Sequence, residues 1–345
     1  MKKTIILSLI VIFVFAFVGC SSKDASTTLN VYNWGDYIDP DVIKDFEKEY
    51  DIKINYEEFA TNEEMLAKIQ AGGTSYDVIF PSEYMIESMI QRDLLHELDF
   101  SKLDNRKNIG KQYQNQAYDK EQKYSIPYLW GTMGIVYNKT KVTDTVNSWD
   151  ILWNPKYEGQ IIMLDSPRDT IGITLKKLGY SLNTTNPDEL EEAKLELMKQ
   201  KELVRSYEVD TYKGQMIAGE AAMSLAWSGD AMLLMAENPD LAYAIPEEGT
   251  NLWFDCMAIP ENAEHKEQAE IFINFMMRPD IAARNSEYIK YSTPNEAALV
   301  LLPQEEVNNE FLYPKGDLSL LGEVFTDLGE FTTEYDRAWT EIKSY

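Results

Sequence analysis

The chain predicts an α/β fold in two lobes, and three observations carry that expectation. Short apolar runs of strand type alternate with segments of helical periodicity along its length. About 320 residues remain once an N-terminal leader is set aside, more than one hydrophobic core usually organises. No glycine- or proline-rich stretch separates two consecutive domains, so the lobes should be joined by crossing strands. The hinge segments are expected near Trp130-Gly131-Thr132 and Leu252 to Asp255.

Leu29 to Asn33 reads as the first strand. Asp39-Pro40 then places a capping acid before a proline at the first helical position, and Val42, Ile43, Phe46 and Tyr50 follow at helical spacing. Ile52, Ile54 and Tyr56 alternate as a second strand. Asn62 is the expected cap of a helix that carries Leu66 and Ile69 and stops at Gly72-Gly73. Asp77 to Phe80 is a third strand and Tyr84 to Gln91 a third helix. Strands are expected at Gly134 to Asn138, Gln160 to Leu164, Met223 to Ala226 and Met257 to Ile259. Helices are expected over Thr170 to Leu178, Pro187 to Lys201 and His265 to Met277, the last ended by Arg278-Pro279.

The leader has the parts of a signal peptide: Lys2-Lys3, an apolar run from Ile5 to Val18, and a small residue before the cleavage point. The apolar run is shorter than the ~20 residues a spanning helix needs. Phe17-Val18-Gly19-Cys20 resembles a bacterial lipobox, with Phe17 where leucine is usual, so Cys20 is the expected site of lipidation. Cys256 is then the only other cysteine, and the fold must rest on its core without an intrachain disulfide. The net charge of −26, about −28 once Lys2 and Lys3 leave with the leader, makes nucleic acid an improbable partner. It draws cations toward the surface and keeps an exported protein dissolved.

Five of the apolar runs end in clusters that pair rings with carboxylates or hydroxyls: Trp34-Gly35-Asp36-Tyr37, Pro81-Ser82-Glu83-Tyr84, Asp165-Ser166-Pro167-Arg168-Asp169, Trp227-Ser228-Gly229-Asp230 and Trp253-Phe254-Asp255. Groups at the carboxyl ends of strands in an open α/β sheet converge on one crevice. Rings plus acids suit an organic cation, the rings through their quadrupole and the acids through countercharge. Glu83 and Asp230 are expected to face solvent beside their site neighbours. Each position also has a duller reading: Asp36 in an Asx turn, Trp34 and Trp227 in the core, Tyr37 and Tyr84 as surface phenols.

On these residues, together with Asp77-Val78-Ile79-Phe80-Pro81-Ser82, Lys177-Leu178-Gly179-Tyr180 and Tyr291-Ser292-Thr293-Pro294-Asn295, the chain resembles the substrate-binding proteins of bacterial spermidine/putrescine ABC transporters. The resemblance implies a type II periplasmic-binding-protein fold that closes on its ligand by a hinge. It implies residues 1–19 as signal peptide, 20–28 as lipidated cysteine and tether, 29–131 plus 255–299 as the first lobe, and 132–254 plus 300–345 as the second. It also implies an aromatic box of Trp34, Tyr37, Trp227, Trp253 and Tyr291, hydroxyl partners Ser82 and Tyr84, and amine-binding acids Asp169 and Asp255. Asp36 is expected at the far end of a diamine. Gly35, Ser166, Arg168 and Phe325 stand close behind, Arg168 orienting acids. Ser166 replaces an acid and Phe325 an amide of spermidine-type relatives, and Gly35-Asp36 is closer to the putrescine-type pattern.

The implied protein is a monomer without cofactor, exported and anchored through Cys20 to the outer face of the cell membrane or else periplasmic, which hands polyamine to permease subunits. A carbohydrate or other small-solute receptor of the same fold and a polyamine sensor stand as alternatives. Asp169 and Asp255 could also be drawn as a glycosidase pair. Against catalysis, the chain has two histidines, no nucleophile elbow, no phosphate loop and no metal-spaced cluster.

Overall fold

A computed structural model describes residues 27–345. The leader, Cys20 and most of the tether lie outside the described residues. β1 (Thr28–Trp34) buries Leu29, Val31 and Tyr32. The Asp39 carboxylate caps α1 (Pro40–Tyr50) by accepting the Asp41 N–H at 2.9 Å, and Val42 and Phe46 turn inward. β2 (Lys53–Phe59) pairs parallel to β1. The cap of α2 (Asn62–Ala71) is Thr61, not Asn62: the Thr61 hydroxyl accepts the Glu64 N–H at 3.1 Å. Asn62 is thereby freed to point inward from the first turn. β3 (Val78–Ile79) leads into α3 (Glu83–Gln91).

β4 (Ser125–Asn138) is far longer than the strand expected at its carboxyl end. Pro127 and Gly131 disguise its first half. Pro127 stands at a register shift in the ladder, where a missing N–H is tolerated. β5 (Ile161–Leu164), α4 (Pro167–Lys177) and α5 (Pro187–Gln200) follow, α4 starting three residues before its expected first residue because Ser166 caps it. Periodicity misses β6 (Val204–Glu208), α6 (Tyr212–Ile217), α7 (Ser228–Glu237) and β8 (Leu241–Ala244), and finds β7 (Met223–Trp227) and only the end of β9 (Thr250–Ala258). Pro279 does not merely end α8 (Lys266–Met276); it opens α9 (Pro279–Ile289), as a proline at the first helical position can. α10 (Gln304–Val307), β10 (Gly322–Glu323) and α11 (Thr332–Ser344) complete the chain.

The strands run in the order β2-β1-β3-β9-β4-β7-β5-β6, with β8 on β4 and β10 on β9. β4 joins the two halves. Its residues from Ser125 to Thr132 pair antiparallel with β9, and those from Met133 to Tyr137 pair with β7. The hydrophobic interior divides at the same place. One core takes residues from Leu29 to Trp130 and from Leu252 to Tyr291, and the other those from Met133 to Tyr243. Leu252, Trp253 and Phe254, assigned by sequence to the second lobe, lie in the first core. Leu302 packs on Ala282 and Ala283 of α9, so the chain's return to the second half comes later than residue 300. Phe311 already packs on Tyr243 of the second core, and α11 completes the return, packing Tyr335, Ala338 and Ile342 against Leu175 of α4 and Leu197 of α5.

Candidate functional site

Asp255 is the centre of the site. It sits in β9 where the ladder to β3 ends, and its two oxygens accept different hydroxyls: Oδ2 that of Tyr37 at 2.6 Å and Oδ1 that of Ser82 at 2.7 Å. Ser82 precedes α3 without capping it, so its hydroxyl is available to Asp255. Asn62, the residue expected from sequence as a helix cap, locks this arrangement. Its Nδ2 donates to Ser82 Oγ at 3.1 Å and to Tyr84 Oη at 3.0 Å, and its Oδ1 accepts the Ser82 N–H. Burial pushes the Asp255 carboxyl up to about 6, against the pull of the two hydroxyl donors.

Asp169 enters from the other half, in the first turn of α4. Burial raises it to about 6 as well, with Ser166 and Arg168 pulling it down and the Asp255 charge adding to the rise. Among the described residues no basic side chain forms an ion pair with Asp169 or Asp255. Arg168 does not orient either acid by hydrogen bonding, contrary to expectation. It donates to the Thr326 carbonyl at 3.2 Å and to Asn183 Oδ1 at 3.0 Å. Its guanidinium lies 4.5 Å from the Phe325 ring centre and 5.4 Å from that of Tyr84, so Phe325 packs on Arg168 between the two halves.

The rings form the walls. The Trp253 edge meets Tyr291 at 4.9 Å between centroids, and Tyr291 meets Tyr37 at 5.9 Å. Trp227, half-buried, packs against both cores. Trp34 is held by a hydrogen bond from its Nε1 to the Phe80 carbonyl at 2.8 Å and by the Phe59 ring at 4.4 Å. Two glycines permit the approach. A Cβ on Gly131 would stand 2.5 Å from the Trp253 ring, and one on Gly229 would stand 2.0 Å from the Tyr291 ring. Tyr291 thus lies directly over the backbone that opens α7.

Asp36 alone of the expected acids remains exposed, in a left-handed turn (φ 53°) between Trp34 and Tyr37, with Gly35 also exposed. Conversely, the two acids expected in solvent are buried. Asp230 is 5% and Glu83 1% exposed. Asp230 accepts the Tyr212 hydroxyl at 2.6 Å and the Tyr291 hydroxyl at 3.1 Å, with Lys213 Nζ at 3.3 Å. The signal is present in the sequence: a helix that begins at a strand's carboxyl end turns its first residues back into the crevice. Among the described residues no group of three metal-ligating side chains occurs.

The profile of the bacterial extracellular solute-binding proteins matches residues 41–310. The spermidine/putrescine-binding periplasmic protein of Escherichia coli (strain K12) is 36% identical over 329 residues, 95% of this chain and 94% of that protein. A solved structure described as a putative spermidine/putrescine ABC transporter from Listeria monocytogenes is 43% identical, covers 93% of this chain and all of its own, and superimposes with a TM-score of 0.89. The TpPotD lipoprotein of Treponema pallidum is 26% identical over 91% of this chain and 99% of its own, with a TM-score of 0.81. The chain belongs to the bacterial extracellular solute-binding protein family.

Proposed function

We propose that this protein is a polyamine receptor that captures putrescine or spermidine outside the membrane and delivers it to the permease of an ABC transporter. The observation that carries the reading is Asp255: a buried carboxylate two residues along β9 from Trp253, held by two hydroxyls, without a basic partner among the described residues. Such a charge is costly to bury unless a cation arrives to meet it. A polyamine supplies ammonium groups for the acids and methylenes for the ring faces between them. An ammonium over an indole face contributes roughly 0.5 to 2 kcal/mol in addition to its pairing with the acid.

In this reading Asp255 and Asp169 take one ammonium, from opposite halves of the molecule. Trp34, Tyr37, Trp227, Trp253 and Tyr291 enclose the chain of methylenes, and Ser82 and Tyr84 order the acid side. Asp230 joins the acids through Tyr291, and exposed Asp36 draws the cation in. The Tyr291 to Asp230 hydrogen bond links the first core to α7 of the second, a contact that hinge motion at Thr132 and Met133 of β4 would make and break.

Calorimetric titration of the protein started at Ser21 should give 1:1 binding of putrescine or spermidine at micromolar affinity or tighter, and no heat with maltose. Binding of maltose, or silence with both polyamines in folded protein freed of copurified ligand, would overturn the reading. The lipobox-like Phe17-Val18-Gly19-Cys20 supports anchoring through Cys20. Mass spectrometry of the full-length protein from a bacterial membrane fraction should find an acylated N-terminal Cys20; an unmodified or uncleaved terminus would refute the anchor.

A further inference from the structure

β3 ends short of the cleft, and a side chain replaces the strand there. The last backbone contacts from that side to β9 are the Cys256 N–H to the Pro81 carbonyl at 2.9 Å and the bridge between Ser82 and Asp255. Two residues along β9, the Phe254 N–H faces the same side, but the chain has already turned into α3. Glu83 Oε2 accepts that N–H at 2.9 Å. The carboxyl group therefore pegs the backbone between Trp253 and Asp255. Its other oxygen, Oε1, is buried without a hydrogen-bond partner.

Apart from backbone N–H groups, no positively charged side chain meets Glu83 at contact distance among the described residues. From β9 it faces Asp255 and Cys256, from the turn at Ala117–Asp119 it faces Tyr118, and from α4 it feels Arg168. Only Arg168 is positive, and its hydrogen bonds go to Thr326 and Asn183. We infer that Glu83 is a positioning residue that holds Trp253 and Asp255 in place as an uncharged acid, and that seating an ammonium at Asp255 drives the Glu83 proton into solvent. The inference rests on the polyamine reading above. Burial and the Asp255 charge, against the backbone N–H groups of Phe254 and of Glu83 itself and the Arg168 charge, raise the Glu83 carboxyl to about 8. A cation placed beside Asp255 acts in the opposite sense and favours the ionised form. The bond between oxygen and hydrogen in Glu83 breaks, the electron pair stays on the carboxylate, and the buffer takes the proton.

The test is titration of putrescine into the mature protein at pH 7.5 in phosphate and in Tris, buffers with very different ionisation enthalpies. The wild-type heat should differ between them by a proton release of up to about one per site, and affinity should rise severalfold from pH 7 to pH 8.5. Glu83→Gln retains an acceptor for the Phe254 N–H. It should abolish that release and flatten the affinity profile, whereas Glu83→Ala, which loses the peg, should bind more weakly at every pH. Putrescine binding with the same heat in both buffers, or an unchanged release in Glu83→Gln, overturns the inference and leaves the polyamine reading standing. The wild-type comparison decides by itself if the variants do not fold. Absence of putrescine binding in folded wild-type protein overturns both.

Discussion

Replacing Asp255 by asparagine should weaken putrescine and spermidine binding by about 2–5 kcal/mol, roughly 30-fold to several-thousand-fold, the usual effect of removing one member of a buried charge pair. The substitution keeps the size of the side chain and an acceptor for one of the two hydroxyls from Tyr37 and Ser82. What it removes is the charge. The same change should stabilise the protein in the absence of polyamine. A carboxyl raised from its ordinary 3.8 to about 6 by burial costs about 3 kcal/mol when ionised at neutral pH, partly offset in the variant by a poorer hydroxyl partner. Thermal unfolding without ligand at pH 7.5 should therefore show a higher Tm for Asp255→Asn than for wild type, with the gap narrowing as pH falls below 6 and closing below about pH 3.8, where the carboxyl is neutral in both the folded and the unfolded chain. Undiminished affinity in calorimetry would remove Asp255 from the site. A lower Tm at pH 7.5 would show that burial of its charge is already compensated.

Polyamine affinity should fall steeply as pH drops through 6, a change separate from the severalfold rise that Glu83 sets between pH 7 and pH 8.5. Asp169 and Asp255 both have carboxyls raised to about 6, and each must be ionised to meet an ammonium. Below pH 6 protons and polyamine compete for the same oxygens, and each acid contributes a limiting slope of one decade of affinity per pH unit. Between pH 7.5 and pH 5 these two acids alone should account for about a hundredfold loss, best read in the Glu83→Gln background, and Asp169→Asn should keep only one acid's share of the slope. The stability of the unliganded protein should run the other way. The folded state holds protons on these acids that the unfolded chain has released, so their contribution is present at pH 4 and lost as pH rises through 6. A flat affinity profile from pH 7.5 to pH 5 would mean that neither acid touches the ligand.

Both predictions rest on a site that is partly legible in the sequence. Ring-and-acid clusters at the ends of apolar runs are local composition, and they name Trp34, Tyr37, Ser82, Asp169, Trp253 and Asp255. Direction within a helical turn is not legible there. One residue of an α-helix rotates a side chain by about 100°, which separates the exposed reading of Glu83 and Asp230 from their buried positions. Asn62 escapes for a related reason: whether Thr61 or Asn62 caps α2 decides whether an amide is spent on its own helix or reaches Ser82 and Tyr84.

The α/β class and the residue types that meet in the cleft follow from the order of amino acids alone, because periodicity, helix punctuation and strand-end chemistry are written in neighbouring residues, and the family follows from motifs that resemble those of known relatives. Folding in three dimensions settles where the two cores divide along β4 and β9, which acids lose their water, and that Arg168 is spent on Thr326, Asn183 and Phe325. Those outcomes depend on contacts between residues distant in the chain. Burial and charge compensation are sums over everything that packs around a group, and no local window of sequence contains them.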